Sequence, residues 1–400
     1  MRVRAASLRF RGGSSLEGMS EAETALLTAD KTNGGGRKSP LRVILIRRAV
    51  ALIIGVVSVV DRALVAAIAA TAAARRLSHA LACFSRAARR PAVVIVGGSF
   101  SALRAQRELA GVADVTLIDT KDYFEYTPGV LRLYVRPELL PTLTTPLPRA
   151  RNALLLGEVT AVGSSAVRVR PPGGSDELSI AFDYLLLGCG THYPCAPVRP
   201  TTDEVHVEAR QATWDRAAAS LRAASSVLIL GGGLVAVELA AEIAEAHPLK
   251  PITMVTSSGT LCSSLPVKAS EAVHRWLTSR GVTIRLLTRV SAADVAGGVA
   301  TIVSDSVESM VCADMIYDCR GNGAPCTAGI AFEGDLSAAL DARNYVRVDR
   351  TLRCAGGGGR VFGMGDVMRL DGCADAKMGH TVPRLWWNRI SIEWAQMSAL

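Results

Sequence analysis

The chain has 400 residues, 49% hydrophobic and 20% charged, so it can bury a sizeable core and is not globally disordered. Its formal net charge of +9 is concentrated at the front, where Arg2, Arg4, Arg9 and Arg11 precede the first acid, Glu17. This asymmetry favours a basic leader before an ordinary domain over a nucleic-acid-binding protein, which spreads or stripes its charge across a folded domain.

Two segments of different character open the chain. Residues 1–48 are polar and basic, which predicts a disordered or targeting leader, with a mitochondrial location favoured over a cytoplasmic one. Residues 49–76 form a hydrophobic segment that is a helix candidate. Between residues 49 and 74 its only charged residues are Asp61 and Arg62. Three interpretations stay open for it: a membrane anchor, an interfacial or targeting helix, and a buried helix.

The nine cysteines are scattered, and no two are spaced as C-x-x-C. Zinc-ribbon and thioredoxin-like sites therefore lack their signature, and no metal site is predicted. The odd count and the apolar settings predict reduced, mostly buried thiols in an intracellular compartment.

From residue 91 onward, short apolar runs alternate with helical stretches at about 100–110, 234–246 and 269–280. The runs that are bounded by glycine and lack alternation predict parallel strands buried on both faces. The predicted strands are Ala92–Val96, Val115–Ile118, Tyr184–Leu187, Val227–Leu230, Ile252–Val255, Val282–Leu287 and Met315–Tyr317. Such strand–turn–helix–strand units predict doubly wound α/β sheets.

A first nucleotide-binding unit begins where the strand ending at Val96 enters a G-x-S-x-x-A turn. Gly97 is kept, whereas Ser99 and Ala102 replace the second and third glycines. A pyrophosphate can bind at the N-terminus of the helix that follows. Asp119, 22 residues after Gly97, is suitably placed to accept hydrogen bonds from a ribose, which favours a nucleotide site over an ordinary strand–helix turn.

A second unit, about 134 residues further on, matches the pattern better. Gly231 and Gly233 occupy the first two glycine positions, Ala236 the third, and Glu238 lies in the first turns of the helix, where we expect it to face the cofactor crevice. The next strand is followed by Thr256–Ser258 and not by an acid or an arginine, so the sequence does not distinguish NADH from NADPH.

Four further segments follow the same order along the chain: Asp122–Pro128, Asp183–Thr191, Cys319–Gly321 and Val361–Asp366. With the two units, they resemble the FAD-dependent pyridine nucleotide oxidoreductase superfamily over roughly residues 91–381. The similarity is to its apoptosis-inducing-factor-like (ferroptosis-suppressor-like) group and to type II NADH dehydrogenases. The resemblance implies FAD on the first unit, NADH or NADPH on the second, and an Asp366 carboxylate that holds the ribityl chain of FAD. Gly188 and Cys189 depart from the A-T-G turn of the family.

The predicted fold is α/β, with two Rossmann-like dinucleotide-binding domains behind a disordered or helical extension. The NAD(P)H domain, 206–318, is inserted in the FAD domain, 91–205 and 319–381, and 382–400 is an atypical C-terminal tail. Arg132 is expected either to approach the FAD phosphates or to lie solvated on a helix face. The cofactor-binding residues implied are Gly97, Gly98, Ser99, Phe100, Ser101, Asp119, Thr120, Lys121, Pro128, Arg132, Val159, Cys189, Gly190, Gly231, Gly233, Leu234, Val235, Glu238, Gly321, Gly365 and Asp366.

The resemblance implies an enzyme that passes hydride from NAD(P)H to flavin and then electrons to an acceptor. No cysteine lies between Cys83 and Cys189, so the disulfide-reductase branch, with its C-x4-C pair after the ribose acid, is excluded. A quinone-type acceptor is then expected, with a homodimer left open and no catalytic residue assigned, Lys377 and His380 included. The alternative is a catalytically impaired flavin- or nucleotide-binding paralogue that acts as a redox sensor or binding partner. The departures from the turn motifs and the short C-terminus, without the third domain usual in the family, favour that alternative.

Overall fold

The computed structural model of the protein describes residues 89–148, 153–321 and 323–371. The predicted leader 1–48, the hydrophobic segment 49–76, the segment with Lys377 and His380 and the tail 382–400 lie outside these residues. Within the described ranges, no helix has the length and apolar character needed to cross a membrane.

The described chain contains twenty strands and five α-helices. The strands are β1 (Ala92–Val96), β2 (Asp114–Asp119), β3 (Tyr123–Glu125), β4 (Thr144–Pro146), β5 (Ala153–Leu156), β6 (Glu158–Val162), β7 (Ala166–Arg170), β8 (Leu178–Ala181), β9 (Tyr184–Leu187), β10 (Val227–Leu230), β11 (Ile252–Val255), β12 (Thr283–Arg285), β13 (Arg289–Asp294), β14 (Val299–Ser304), β15 (Val307–Cys312), β16 (Met315–Asp318), β17 (Ala331–Phe332), β18 (Val346–Val348), β19 (Val361–Gly363) and β20 (Met368–Leu370). The helices are α1 (Phe100–Leu109), α2 (Leu140–Leu143), α3 (Val207–Ala223), α4 (Leu234–Ala246) and α5 (Val267–Ser279). Short 3-10 helices cover Thr127–Tyr134, Pro137–Leu139, Cys326–Gly329, Gly334–Ala339 and Gly365–Val367.

The first sheet has five parallel strands in the order β19-β9-β1-β2-β5. Its central strands are continuous apolar runs because both of their faces are covered, and Ile95 is completely buried. Helix α1 packs on this sheet through small side chains such as Ala102 and Ala105, both fully buried. Since β19 returns to pair with β9, the sheet is completed by residues far along the chain.

The second sheet has four parallel strands in the order β12-β11-β10-β16 and lies in the sequence between β9 and β19. One face packs with helices α3, α4 and α5 in a core that includes Leu239 and Ile243. The other face, with Leu228 and Leu230, packs with Ala300 from the antiparallel sheet β13-β14-β15. The prediction of an α/β fold with two Rossmann-like sheets, the second inserted in the first, is confirmed.

The core of the second sheet also includes residues from before β10. Leu131 and Tyr134, from the 3-10 helix Thr127–Tyr134, pack in the same cluster as Trp214 of α3 and Leu239 of α4. The Tyr134 ring meets the Trp214 ring edge-on at a centroid distance of 5.1 Å. A hydrophobic core therefore joins the two nucleotide units directly.

A buried ion cluster supports the same junction. Arg210 of α3 is fully buried, and its Nε donates to Glu125 Oε1 at 2.8 Å while its Nη1 donates to Glu204 Oε2 at 3.2 Å. The guanidinium also lies over the Trp214 ring, 4.8 Å from its centroid. Buried charges persist when they are paired and hydrogen-bonded, and this cluster meets both conditions.

Candidate functional site

The turn after β1 is held against the turn after β9. Gly97 has a φ of +96°, and its N–H donates to the carbonyl oxygen of Ile118 at 2.8 Å. A Cβ at this position would lie 2.5 Å from the carbonyl oxygen of Gly188, so the close approach of the two turns requires glycine. The two turns thus lie side by side at the carboxyl ends of β1 and β9.

Helix α1 begins directly after this turn. Ser99 is its N-cap residue, and its side chain makes no capping hydrogen bond, so it satisfies none of the first backbone N–H groups of the helix. Those groups and the helix dipole suit a pyrophosphate. The Ser101 hydroxyl lies 3.2 Å from the position that a Cβ of Gly365 would take, which places the Gly365–Val367 helix against this N-terminus. Ser99, Ser101, Gly365 and Asp366 are therefore brought together.

Asp119 ends β2 and is 9% exposed. Its Oδ2 accepts the N–H of Gly98, and its Oδ1 accepts the backbone N–H and the Nζ of Lys121 at 3.0 and 3.1 Å. An ionised carboxylate has about four lone-pair sites, so ribose hydroxyls can still bind it. Thr120, between Asp119 and Lys121, is half-buried.

Two half-buried thiols, Cys189 and Cys326, lie at the Gly188–Gly190 turn. The N–H of Cys326 donates to the carbonyl oxygen of Gly190 at 3.0 Å, and Gly190 has a φ of +74°. Burial raises the pKa of Cys326 to about 11 and also raises the pKa of Cys189. Both thiols are neutral at pH 7, so they are poor nucleophiles there.

The second unit repeats the geometry of the first. Gly231 has a φ of +123°, and a Cβ there would lie 2.8 Å from the carbonyl oxygen of Cys319. Gly233 is the N-cap residue of α4, and no atom lies within 4 Å of the position its Cβ would take. The first helical residues, Leu234 and Val235, are exposed and half-buried, so the N-terminus of α4 faces open space.

In the second unit a threonine holds the position that Asp119 holds in the first unit. Val96 pairs with Ile118 in the first sheet, as Leu230 pairs with Val255 in the second, so Thr256 corresponds to Asp119. The Thr256 hydroxyl accepts the N–H of Ser258 at 3.2 Å and adds no charge to the site.

Arg132, in the 3-10 helix Thr127–Tyr134, contacts helix α4, which contains Glu238. Arg132 donates from Nε and Nη2 to Glu242 Oε1 at 3.0 and 2.9 Å, and this bond raises the pKa of Arg132. Partial desolvation and the charge of Glu242 raise the pKa of the Glu238 carboxyl. Of the two expectations for Arg132, its 56% exposure agrees with the solvated helix face, and an approach to the FAD phosphates stays a prediction.

The remaining predicted residues are distributed around these turns. Phe100 is 46% exposed and meets the Phe124 ring edge-on at 5.1 Å, Pro128 is exposed in a 3-10 helix, and Val159 is buried in β6. Gly321 has a φ of +65°, and no atom lies within 4 Å of the position its Cβ would take.

Sequence reasoning missed Arg199, which the fold brings into the first site. Its Nη2 lies 3.9 Å from Asp366 Oδ2 and 3.6 Å from the position that a Cβ of Gly190 would take. The only local signal is an arginine between Val198 and Pro200, and it does not predict a partner 167 residues further on.

The sequence model of the pyridine nucleotide-disulphide oxidoreductase family matches residues 91–390. The chain belongs to this family. The family match extends into the 382–400 segment. The family assignment confirms the resemblance predicted from the sequence, and FAD and NAD(P)H are its cofactors.

Two curated proteins that are similar in sequence to this chain agree with the family assignment. Apoptosis-inducing factor homolog B of Dictyostelium discoideum is 26% identical over 211 residues, covering 50% of this chain and 53% of that protein. Ferroptosis suppressor protein 1 of Xenopus tropicalis is 25% identical over 290 residues, covering 70% of this chain and 74% of that protein. The chain thus spans about half the length of the Dictyostelium relative.

Solved structures share the fold. NDH2 of Plasmodium falciparum, in complex with NADH, matches this chain with a TM-score of 0.56 at 14% sequence identity. The match covers 70% of this chain and 65% of the NDH2 chain. The sulfide:quinone oxidoreductase of Aquifex aeolicus matches with a TM-score of 0.54 at 18% sequence identity, covering 70% of this chain and 69% of that enzyme.

The residues present fit FAD at the first turn. A glycine cradle, a helix N-terminus without a side-chain cap, and the acid at the end of β2 supply the three kinds of contact that a dinucleotide needs. The Nε of Arg199 is buried and has no hydrogen-bond acceptor among the described residues. This unpaired donor also suits an anionic ligand.

Proposed function

We propose that this protein is an FAD-dependent oxidoreductase that takes hydride from NAD(P)H and delivers electrons to a quinone-type acceptor. The observation that carries the proposal is the pair of glycine turns, each at the carboxyl end of a parallel sheet and each followed by a helix without a side-chain cap. Ligands of open α/β sheets bind at this edge.

The protein contributes binding and orientation. The N-terminus of α1 would bind the pyrophosphate of FAD, Asp119 would accept hydrogen bonds from its ribose, and Asp366 would hold its ribityl chain. The N-terminus of α4, where Gly233 leaves open space, would bind the pyrophosphate of NAD(P)H. Bound FAD supplies the chemistry of accepting a hydride and releasing electrons.

Two observations support a quinone as the electron acceptor: the sequence has no C-x4-C cysteine pair, and a solved structure with a similar fold is a quinone-reducing enzyme by its name. No cysteine follows Asp119 until Cys189, so the C-x4-C pair of disulfide reductases is absent from the sequence, and burial raises the pKa of Cys189, which disfavours its thiolate. A structural neighbour is a sulfide:quinone oxidoreductase, which supports a quinone. Membrane association through 49–76, a mitochondrial location and a homodimer stay predictions.

The test is an anaerobic absorbance titration of the purified full chain. We expect a flavin spectrum that bleaches with NADH or NADPH and returns when a short-chain quinone is added. Asp366→Asn should lower the flavin content, whereas Asp371→Asn, at a half-exposed ion pair with Arg347, should not. A bound flavin that neither nucleotide bleaches would favour the binding-protein alternative, and bleaching without reoxidation by quinone would exclude that acceptor.

A further inference from the structure

Arg199 has an unusual position for a charged side chain. Its side chain is 23% exposed, and its guanidinium lies 5.4 Å from the centroid of the Tyr193 ring. On another side, Nη2 comes within 3.6 Å of the position that a Cβ of Gly190 would take. The planar group is thus fixed beside the turn that follows β9, at the ligand-binding edge of the first sheet.

One donor of this guanidinium, Nε, has no partner in the part of the chain that the structure describes. Its Nε is buried and has no hydrogen-bond acceptor within residues 89–148, 153–321 and 323–371. Its approach to Asp366 Oδ2, at 3.9 Å, is too long for a hydrogen bond. A guanidinium has five N–H donors, and burying a donor without an acceptor costs free energy.

Arg210 shows how this fold satisfies an arginine whose role is structural. Its guanidinium is fully buried and donates to Glu125, to Glu204 and to the carbonyl oxygen of Val198. Arg199 follows Val198 directly in the sequence, but its buried Nε has no acceptor among the described residues, and its Nη2 lies 3.9 Å from Asp366 Oδ2. The difference indicates that the acceptors of Arg199 come from a ligand.

The positive charge of Arg199 and the uncapped N-terminus of α1 favour an anionic ligand. Asp366 follows Gly365, which lies against Ser101 in the first turn of α1. Lys121, the other cation of the first site, is bonded to Asp119 at 3.1 Å. A pyrophosphate at the N-terminus of α1 would bring additional negative charge beside Asp366, and planar N–H forks match phosphate oxygens well.

We propose that Arg199 is an FAD-binding residue whose guanidinium donates hydrogen bonds to the pyrophosphate of the cofactor. This inference rests on the proposed function in so far as the first site binds FAD. It adds a side-chain phosphate ligand to the backbone N–H groups of α1, from a segment that carries no nucleotide-binding motif.

The test is FAD binding to deflavinated full-length protein, followed by flavin fluorescence or calorimetry. Arg199→Gln should weaken FAD binding by about 10- to 100-fold, equivalent to ~1.4–2.8 kcal/mol. Arg199→Lys should lose less, because it keeps the charge but not the fork. Arg275→Gln, at an exposed i,i+4 pair on α5, is the matched control and should leave the affinity unchanged.

Riboflavin, which lacks phosphate, separates a phosphate contact from a general structural effect. We expect Arg199→Gln to leave riboflavin affinity and the thermal midpoint of the apoprotein unchanged. Equal weakening of FAD and riboflavin, or an unaltered FAD affinity, would overturn the proposal while the proposed function stands. Failure of the wild-type protein to bind FAD would overturn both.

Discussion

Thr256 and Asp119 hold equivalent places in the two nucleotide units, but only Asp119 is charged. An acid at this place binds the ribose hydroxyls of NADH and repels the 2′-phosphate of NADPH. We expect Thr256→Asp to shift the preference toward NADH by about tenfold, or ~1.4 kcal/mol. The ratio of kcat/KM for the two nucleotides measures the shift, with Thr278→Asp on the exposed end of α5 as control. An equal effect of both variants would contradict the assignment.

The two glycines of the second turn should respond differently to the same added methyl group. At Gly233 the φ is −79° and the space around a Cβ is open, so Gly233→Ala should fold normally and raise the KM for NAD(P)H, because the methyl enters the nucleotide site. At Gly231 a Cβ would clash with the Cys319 carbonyl, so Gly231→Ala should lower stability as well. Thermal midpoints and KM values separate the two outcomes. An unchanged KM in Gly233→Ala would show that the nucleotide does not approach this turn.

At the scale of elements, the Arg210 cluster ties α3 to β3. Glu125→Gln keeps the size of the side chain but removes one of the two charges that compensate the buried guanidinium. Loss of a buried ionic partner costs ~3–5 kcal/mol. We therefore expect a decrease of this size in the free energy of unfolding by urea. Glu138→Gln, in an exposed pair with Arg136, should change stability by less than about 1 kcal/mol. Similar small changes in both variants would contradict the role given to the cluster.

The sequence predicts buried elements well and exposed ones poorly. β1, β9, β10 and β11 have the predicted bounds, because a short, continuous apolar run has few alternatives to a covered parallel strand. β12 is shorter than the predicted Val282–Leu287 because Leu287 leaves the extended conformation, with a φ of +52° and 71% exposure. Strands such as β13 were not predicted, since most of its residues are exposed and its partners are set by tertiary pairing.

The candidate site also contains residues that the sequence predicts and residues that it does not. Gly97, Asp119 and Gly231 could be predicted because strand, turn and helix are adjacent in sequence, and backbone geometry allows few residues there. Arg199 and its approach to Asp366 depend on how distant segments pack, so no local pattern marks them. The roles of the individual site residues stay predictions.

At the scale of the whole molecule, the shared core predicts that the inserted unit does not fold by itself. The fragment 206–318 contains the second sheet but lacks Leu131, Leu133 and Tyr134, which fill one face of its core. We expect this fragment to show no cooperative thermal transition, whereas the full chain does. Adding a peptide of residues 127–147 should restore part of the transition. A fragment that unfolds cooperatively without the peptide would show that the junction is dispensable.

The late return of β19 also has a consequence for biosynthesis. A nascent chain still on the ribosome presents β1, β2 and β9 early, but the strand that borders β9 and the Gly365–Val367 turn emerge only after the entire second sheet has been translated. The first nucleotide pocket therefore lacks one wall throughout most of translation. If the first turn binds FAD as proposed, cofactor loading follows the synthesis of the inserted unit. Premature termination before residue 361 would then yield a polypeptide with a complete second sheet but without the last wall of the proposed flavin site.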